Sequence, residues 1–227
     1  MEAMMHPPEV YIGNIQPYAG RRPSAIAKRL VEGAIKLTPL GLEGDEQAEK
    51  AHHGGPDRAL CHYPREHYIH WRRQFPAQAE LFAAPAFGEN ISTLGLTEHN
   101  VFMGDIFRWG EALIQVTQPR SPCFKLNAHF AIGNLSVLMQ QSGHCGWLYR
   151  VVSAGMVSGE QPLELVARSS EVSVAEAIAI AWHLPFDAEQ YRRLLAAAGL
   201  SASWSKTMLT RITTSRIEDF NRRLLGQ

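Results

Sequence analysis

Along residues 1–170 the apolar positions fall in short runs at two-residue spacing, broken by glycine and proline, which is the pattern of strands. Residues 10–15 and 24–30 carry β-branched and alternating apolar side chains. Residues 106–109 and 112–117 flank Gly110-Glu111, which reads as a hairpin turn. Residues 147–152 and 163–167 predict two further strands. Many strands without regular strand–helix alternation predict a closed or nearly closed barrel rather than a doubly wound sheet. Two helices interrupt the series. Pro64 suits a first helical turn, Tyr68, Trp71 and Phe75 follow at helical spacing, and Pro76 stops the run. Residues 135–141 form the second, with Gly143 placed to cap its end.

From Ser173 the spacing becomes helical. Ser173-Val174-Ala175-Glu176 fits a capping box and opens a helix to about His183, just before Pro185. Asp187 caps a second helix over 188–198, closed by Gly199, and further helices are expected over 203–211 and 217–225. The expected fold is mainly β with α: a β-barrel domain at 1–170 and a helical domain at 171–227. The short turn between the second and third helices invites a helix–turn–helix reading. Seven basic and six acidic residues leave 171–227 with a formal charge of only +1, which favours a packing or oligomerisation module over a DNA reader.

The 45% hydrophobic content supplies a packed core, and 227 residues suit one large domain or one with an appendage. Basic and acidic residues number 22 each, so no net field attracts duplex nucleic acid. No apolar run approaches the ~20 residues of a membrane span. MEAMMHPPEV lacks the layout of a signal peptide, so a soluble cytoplasmic protein is expected. Cys61, Cys123 and Cys145 form no CxxC pair, which disfavours a disulfide framework, a zinc ribbon and a four-cysteine iron–sulfur cluster. Walker A, Rossmann and GxSxG patterns are absent. Electrons for any redox reaction are therefore expected from a separate reductase.

Polar chemistry concentrates in two stretches. In the first, Gly44, Asp45, His52, His53, Gly54, Gly55, Asp57 and Arg58 lie close in sequence. Glycine-turn amides beside Arg58 would cradle an anion, or the glycines simply serve turns bonded by Asp45 and Asp57; the pattern leaves both open. In the second, Pro119-Arg120-Ser121-Pro122-Cys123-Phe124-Lys125 follows a predicted strand. The prolines stiffen the loop, and Arg120 and Lys125 favour a thiolate at Cys123, suited to nucleophilic attack or to binding a soft metal. Glu89 and Asn90 precede another strand and either orient a ligand or cap a turn. Cys61 sits in an apolar strand context and is assigned to the core; Cys145 stays open. His67 and His70 lie one helical turn apart, but no HExxH pattern accompanies them and Arg72 and Arg73 mark a solvated face, so they are not read as ligands.

The stretches GLEGDEQAEKAHHGGPDRALCHYP, FGENIS and MGDIFRWGEALIQVTQPRSPCFKL, with the helical tail, closely resemble the MOSC-domain proteins, named for the C-terminal domain of molybdenum-cofactor sulfurases, and among them the YiiM subgroup. The likeness covers nearly the whole chain. The GD…HGG segment together with PRSPC is specific, where either alone is not. The resemblance implies a MOSC-type β-barrel like the barrel domain of pyruvate kinase, followed by a three-helix region. It implies a molybdenum–pterin cofactor with Cys123 as the metal ligand, and reduction of N-hydroxylated compounds such as 6-N-hydroxylaminopurine, a detoxification of base analogues. Pyridoxal phosphate enters only by family association, and no lysine here independently suggests a Schiff base.

Within that frame, Gly44, Gly54, Gly55, Arg58, Glu89, Asn90, Arg120 and Lys125 would bind the cofactor. His53 would donate a proton, with Asp45 and Glu89 as orienters. The expected partners are the separate electron-donating reductase, a small N-hydroxylated substrate and at most a second copy in a homodimer, with no membrane and no duplex nucleic acid. The competing reading is a molybdenum-cofactor or sulfur carrier without turnover of its own.

Overall fold

A computed structural model of the chain describes residues 7–18, 21–48 and 54–226. Its largest sheet orders eight strands as β13 (Leu163–Ala167), β9 (Ile106–Trp109), β10 (Ala112–Pro119), β11 (Trp147–Ser153), β7 (Leu60–Pro64), β8 (Ile91–Thr93), β1 (Glu9–Ile12) and β4 (Arg29–Leu30). Every neighbouring pair is antiparallel except β7 and β8. The sheet curls into a half-barrel. Strands β12 (Gly155–Ser158), β5 (Ala34–Thr38) and β6 (Gly41–Leu42) make a second sheet, and β2 (Gln16–Tyr18) pairs with β3 (Arg21–Ser24).

The β9–β10 hairpin turns at Gly110-Glu111 as the alternation predicts, with Gly110 at φ 56°. Aromatic side chains fill the interior. Trp71, Trp109, Trp147, Tyr63 and Tyr149 are buried completely, and Phe82 stacks on Phe130 at 4.7 Å. At roughly 1.5–3 kcal/mol per buried large apolar side chain, this cluster is the main source of cohesion.

The helices are α1 (Glu66–Gln74), α2 (Lys125–His129), α3 (Leu135–Ser142), α4 (Val174–Ile178), α5 (Ala188–Leu195), α6 (Ala202–Thr214) and α7 (Asn221–Leu224). The Ser173 capping box is formed in full, and Gly143 ends α3 in the left-handed conformation. After α4 the chain widens into a π turn over Ala179–His183 before Pro185. Asp187 and Ser201 cap α5 and α6 through their side chains. No described helix is long and apolar enough to cross a membrane.

The helical region is bonded directly to the half-barrel. The Ser201 N–H donates to the Thr117 carbonyl at 3.0 Å and its hydroxyl to Gln118 Oε1 at 2.7 Å. The Ala202 N–H donates to Asp57 Oδ2 at 3.0 Å. At Gly104 (φ 78°) a Cβ would lie 2.0 Å from the Ala198 carbonyl oxygen, so glycine is required where the two layers touch.

Several expectations change. Residues 24–30 are not one strand: β3 ends at Ser24, β4 begins at Arg29, and the irregular interval turns Lys28 inward to a buried carboxylate. Pro64 ends β7 opposite Thr93 rather than opening α1. The helix expected to reach residue 198 ends at Leu195, and the last one is the single turn α7. The face of α1 that carries His67 is not solvated. His67 is buried, with Nε2 2.7 Å from Glu98 Oε2, because Glu98 arrives from a loop 31 residues away.

Candidate functional site

Five segments bring polar groups together at one place: the interval before β4, the turn after β6, strand β7, the approach to β8 and the loop after β10. Asp45 is the hub of the first two. Its Oδ1 accepts the Gly13 N–H at 2.8 Å and the Lys28 ammonium, and its Oδ2 accepts from Asn90 Nδ2 at 2.8 Å. Both charged side chains are almost completely buried, 3% exposed for Asp45 and 5% for Lys28.

Asn90 ties this hub to the strands. Its Nδ2 also donates to the Tyr11 carbonyl at 3.1 Å, and its Oδ1 accepts the Cys61 N–H at 3.1 Å. Side chains alternate along β7, so Leu60 and His62 are buried while Cys61 between them is half-buried on the opposite face. Arg120, Glu89, Lys28 and Asp45 all act electrostatically on the Cys61 thiol, whose pKa is raised chiefly by burial. Assignment of Cys61 to the core is thereby corrected. Its neighbour His62 is a structural strut, with Thr93 Oγ1 at 2.8 Å and Tyr149 Oη at 3.1 Å, and burial pushes its pKa down to about 3.

Arg120 stands at the centre of the opposite side. Its N–H donates to the Gly146 carbonyl at 3.0 Å and Nη2 to the Phe87 carbonyl at 2.6 Å. Nη1 is buried and makes no hydrogen bond. Burial opposes the guanidinium charge, but Cys61, Cys123 and Glu89 outweigh it and raise the pKa. The Arg120 charge therefore acts on both thiols. Cys123 itself is half-buried and unpaired.

Glu89 is fully buried. Its Oε1 accepts the Tyr68 hydroxyl at 2.6 Å, and its Oε2 is buried without a hydrogen bond. Burial raises its pKa from 4.5 to about 7, with Tyr68 and Arg120 pulling the other way. Folding therefore holds a proton on Glu89 that the unfolded chain releases. The stability this contributes is complete below pH 4.5 and is lost as pH rises to about 7, by roughly 3 kcal/mol. His62, with its lowered pKa, acts in the opposite sense between about pH 3 and 6.5, so only a difference measurement isolates Glu89. Glu89→Gln is expected to gain stability relative to the parent between pH 5 and pH 8 in urea unfolding; a pH-independent difference would contradict the assignment.

Other residues singled out in the sequence lie as follows. Arg58 is directed at α6, its Nη2 donating to Ser203 Oγ at 3.0 Å. Gly55 (φ 101°) precedes a short 3-10 turn, and Gly44 (φ 79°) lies beside Ile12. Gly54 is half-buried, and Lys125 opens α2 half-buried. His52 and His53 lie outside the described residues. Cys145 is buried, its thiol donating to the Met139 carbonyl at 3.3 Å, and burial raises its pKa well above the usual range. Lys28, Cys61 and Tyr68 belong to the cluster, though the sequence reads Tyr68 only as a helix position and Cys61 as core, and gives no signal for Lys28. Period-two alternation through Leu60 and His62 was the available cue for Cys61.

Among the described residues no set of three or more His, Cys, Asp or Glu side chains is arranged to hold a metal ion. The cluster offers single thiols, an arginine with a free N–H and a buried carboxyl.

Residues 49–164 match the MOSC domain, and residues 172–214 match the YiiM-like 3-alpha helix domain. The chain is 66% identical to Protein YiiM of Escherichia coli (strain K12), over 99% of this chain and all of that one. A crystal structure of YiiM from Escherichia coli superposes with a TM-score of 0.86 at 60% identity, covering 99% of this chain and 100% of the other. A protein of Gibberella moniliformis (strain M3125 / FGSC 7600) called Reductase is 35% identical over 70% of this chain, which corresponds to 29% of its own length.

Proposed function

Because this chain belongs to the MOSC-domain family, in its YiiM-like branch, we propose that it is a molybdenum-cofactor-dependent reductase of N-hydroxylated compounds such as 6-N-hydroxylaminopurine. The observation that carries the reading is half-buried Cys123 within the electrostatic reach of Arg120, whose Nη1 is buried without a hydrogen bond. The relative called Reductase supports the reaction class.

A molybdenum–pterin cofactor fits this donor set. A metal carried on pterin sulfurs needs one soft protein ligand, and Cys123 would supply it. The free Arg120 N–H would donate to an anionic oxygen of the cofactor or substrate. Pyridoxal phosphate fits less well, because the buried lysine of the cluster, Lys28, is already engaged by Asp45. When bound, the cofactor supplies the two-electron chemistry that breaks the N–O bond.

The chain's residues do the rest. Reduction of R–NHOH to R–NH2 and water consumes two electrons and two protons. Glu89, protonated up to about pH 7, would hold one proton within reach of the Arg120 charge for the oxygen that leaves as water, and solvent would supply the second. Asp45 acts at one remove by fixing Asn90 and Lys28. The electrons come from a separate reductase.

The test is turnover of 6-N-hydroxylaminopurine to adenine by protein from molybdate-replete cells, with reduced methyl viologen as donor. Many turnovers are expected with viologen and none with NAD(P)H alone. Failure of a molybdenum-loaded chain to turn over more than once would favour the carrier reading; robust turnover with NAD(P)H alone would remove the separate reductase.

A further inference from the structure

We propose that Arg223 is a positioning residue for the Cys123 loop, with the segment around α7 acting as a strap that holds the thiol in place. The inference rests on Cys123 as the site's working thiol but not on which cofactor it meets. Residues 215–226 lie beyond both matched domains.

The strap grips the loop on both sides of Cys123. Arg223 Nη1 donates to the Pro122 carbonyl at 2.5 Å, and the Phe124 N–H donates to the Arg223 carbonyl at 2.9 Å. The residues immediately before and after the thiol are thus bonded to one residue a hundred positions away. Arg223 Nη2 also donates to Gln140 Oε1 on α3. The Leu224 carbonyl accepts from Ser136 Oγ at 2.6 Å and from Asn127 Nδ2 at 3.0 Å, which pins the strap to α3 and α2. Leu224 is buried, and Gly226 passes so close to the Phe124 ring that a Cβ would come within 3.1 Å of it.

The guanidinium is itself held, 5.2 Å from the Trp182 ring and 5.4 Å from the Phe220 ring. Burial lowers the Arg223 pKa, while the nearby Cys145 and Cys123 thiols pull the other way, so the strap brings a cation toward Cys123. A proline-stiffened loop alone leaves Cys123 on a surface segment. The strap converts it into a supported one, which a single metal-binding thiol requires.

The test uses the full chain from cells grown without added molybdate. Alkylation by N-ethylmaleimide is followed separately at Cys61 and Cys123 by peptide mass spectrometry, with hydrogen exchange of residues 120–127. With rates compared per thiolate, because loss of the nearby charge by itself slows the reaction, Arg223→Ala should speed alkylation at Cys123 about tenfold, since hydrogen bonds from a charged donor resist local opening, and leave Cys61 unchanged. Arg223→Lys, able to replace one of the two side-chain bonds, should recover part of the protection. Ser136→Ala, a mild change, should give a smaller acceleration confined to Cys123 and decides the matter should Arg223→Ala not fold. Unchanged rates, equal acceleration at both cysteines, or no rescue by lysine would overturn the proposal. Molybdenum retention is read separately: a Cys123→Ser variant that keeps its metal sinks the functional reading while leaving the strap standing.

Discussion

Cys123→Ser is expected to lower turnover of N-hydroxylated substrate by roughly 100-fold or more while changing stability by only about 0.5 kcal/mol. The first figure follows from metal-site variants, in which even loss of an outer partner costs roughly 10–100-fold, so loss of a ligand costs at least as much. The second follows from the position: Cys123 is half-buried on a loop and outside the hydrophobic core, and serine preserves its size. Cys61→Ser serves as the control, since Cys61 shares the Arg120 field but lies on β7 rather than on the loop. Equal losses in both variants, measured as kcat/KM with an artificial donor, would show that the thiols act only through Arg120.

Asp45→Ala is expected to destabilise the protein by about 3–5 kcal/mol, because it leaves the Lys28 ammonium buried without its counter-charge. The Gly13 N–H and Asn90 Nδ2 lose an acceptor at the same time. The double variant Lys28→Met with Asp45→Asn removes both charges and keeps one acceptor oxygen at position 45, and should recover at least about 1 kcal/mol of the loss seen in Asp45→Ala. Urea unfolding of the parent, Asp45→Ala and the double variant measures this. A single variant costing less than about 1 kcal/mol, or a double variant no better than the single, would show that the pair is not the hub of the cluster.

What could be read along the chain was what local chemistry encodes. The β9–β10 hairpin follows from alternation around Gly110, and the start of α4 from Ser173 and Glu176 three positions apart. The Arg120–Cys123 loop is legible because its proline, cation and thiol are contiguous. Glu89 and Asn90 are visible as polar residues before a strand, but not that one is a buried acid and the other a three-way tie among Asp45, Tyr11 and Cys61. Lys28 was invisible because its meaning is a partner 17 residues away. His67 was misread for the same reason, its partner Glu98 lying 31 residues on. Cys61 was misassigned because an apolar neighbourhood in sequence says little about which face a strand residue takes. Arg223 sits in a polar tail that reads as solvated surface, and only the fold sets it against Pro122 and Phe124.

The central claim is that one thiol on a supported loop holds molybdenum. Elemental analysis of parent and Cys123→Ser protein, purified side by side from molybdate-replete cells, measures that bond most directly. A substantial molybdenum content per chain in the parent and its near-complete loss in the variant is the predicted result; equal metal in the two proteins contradicts it.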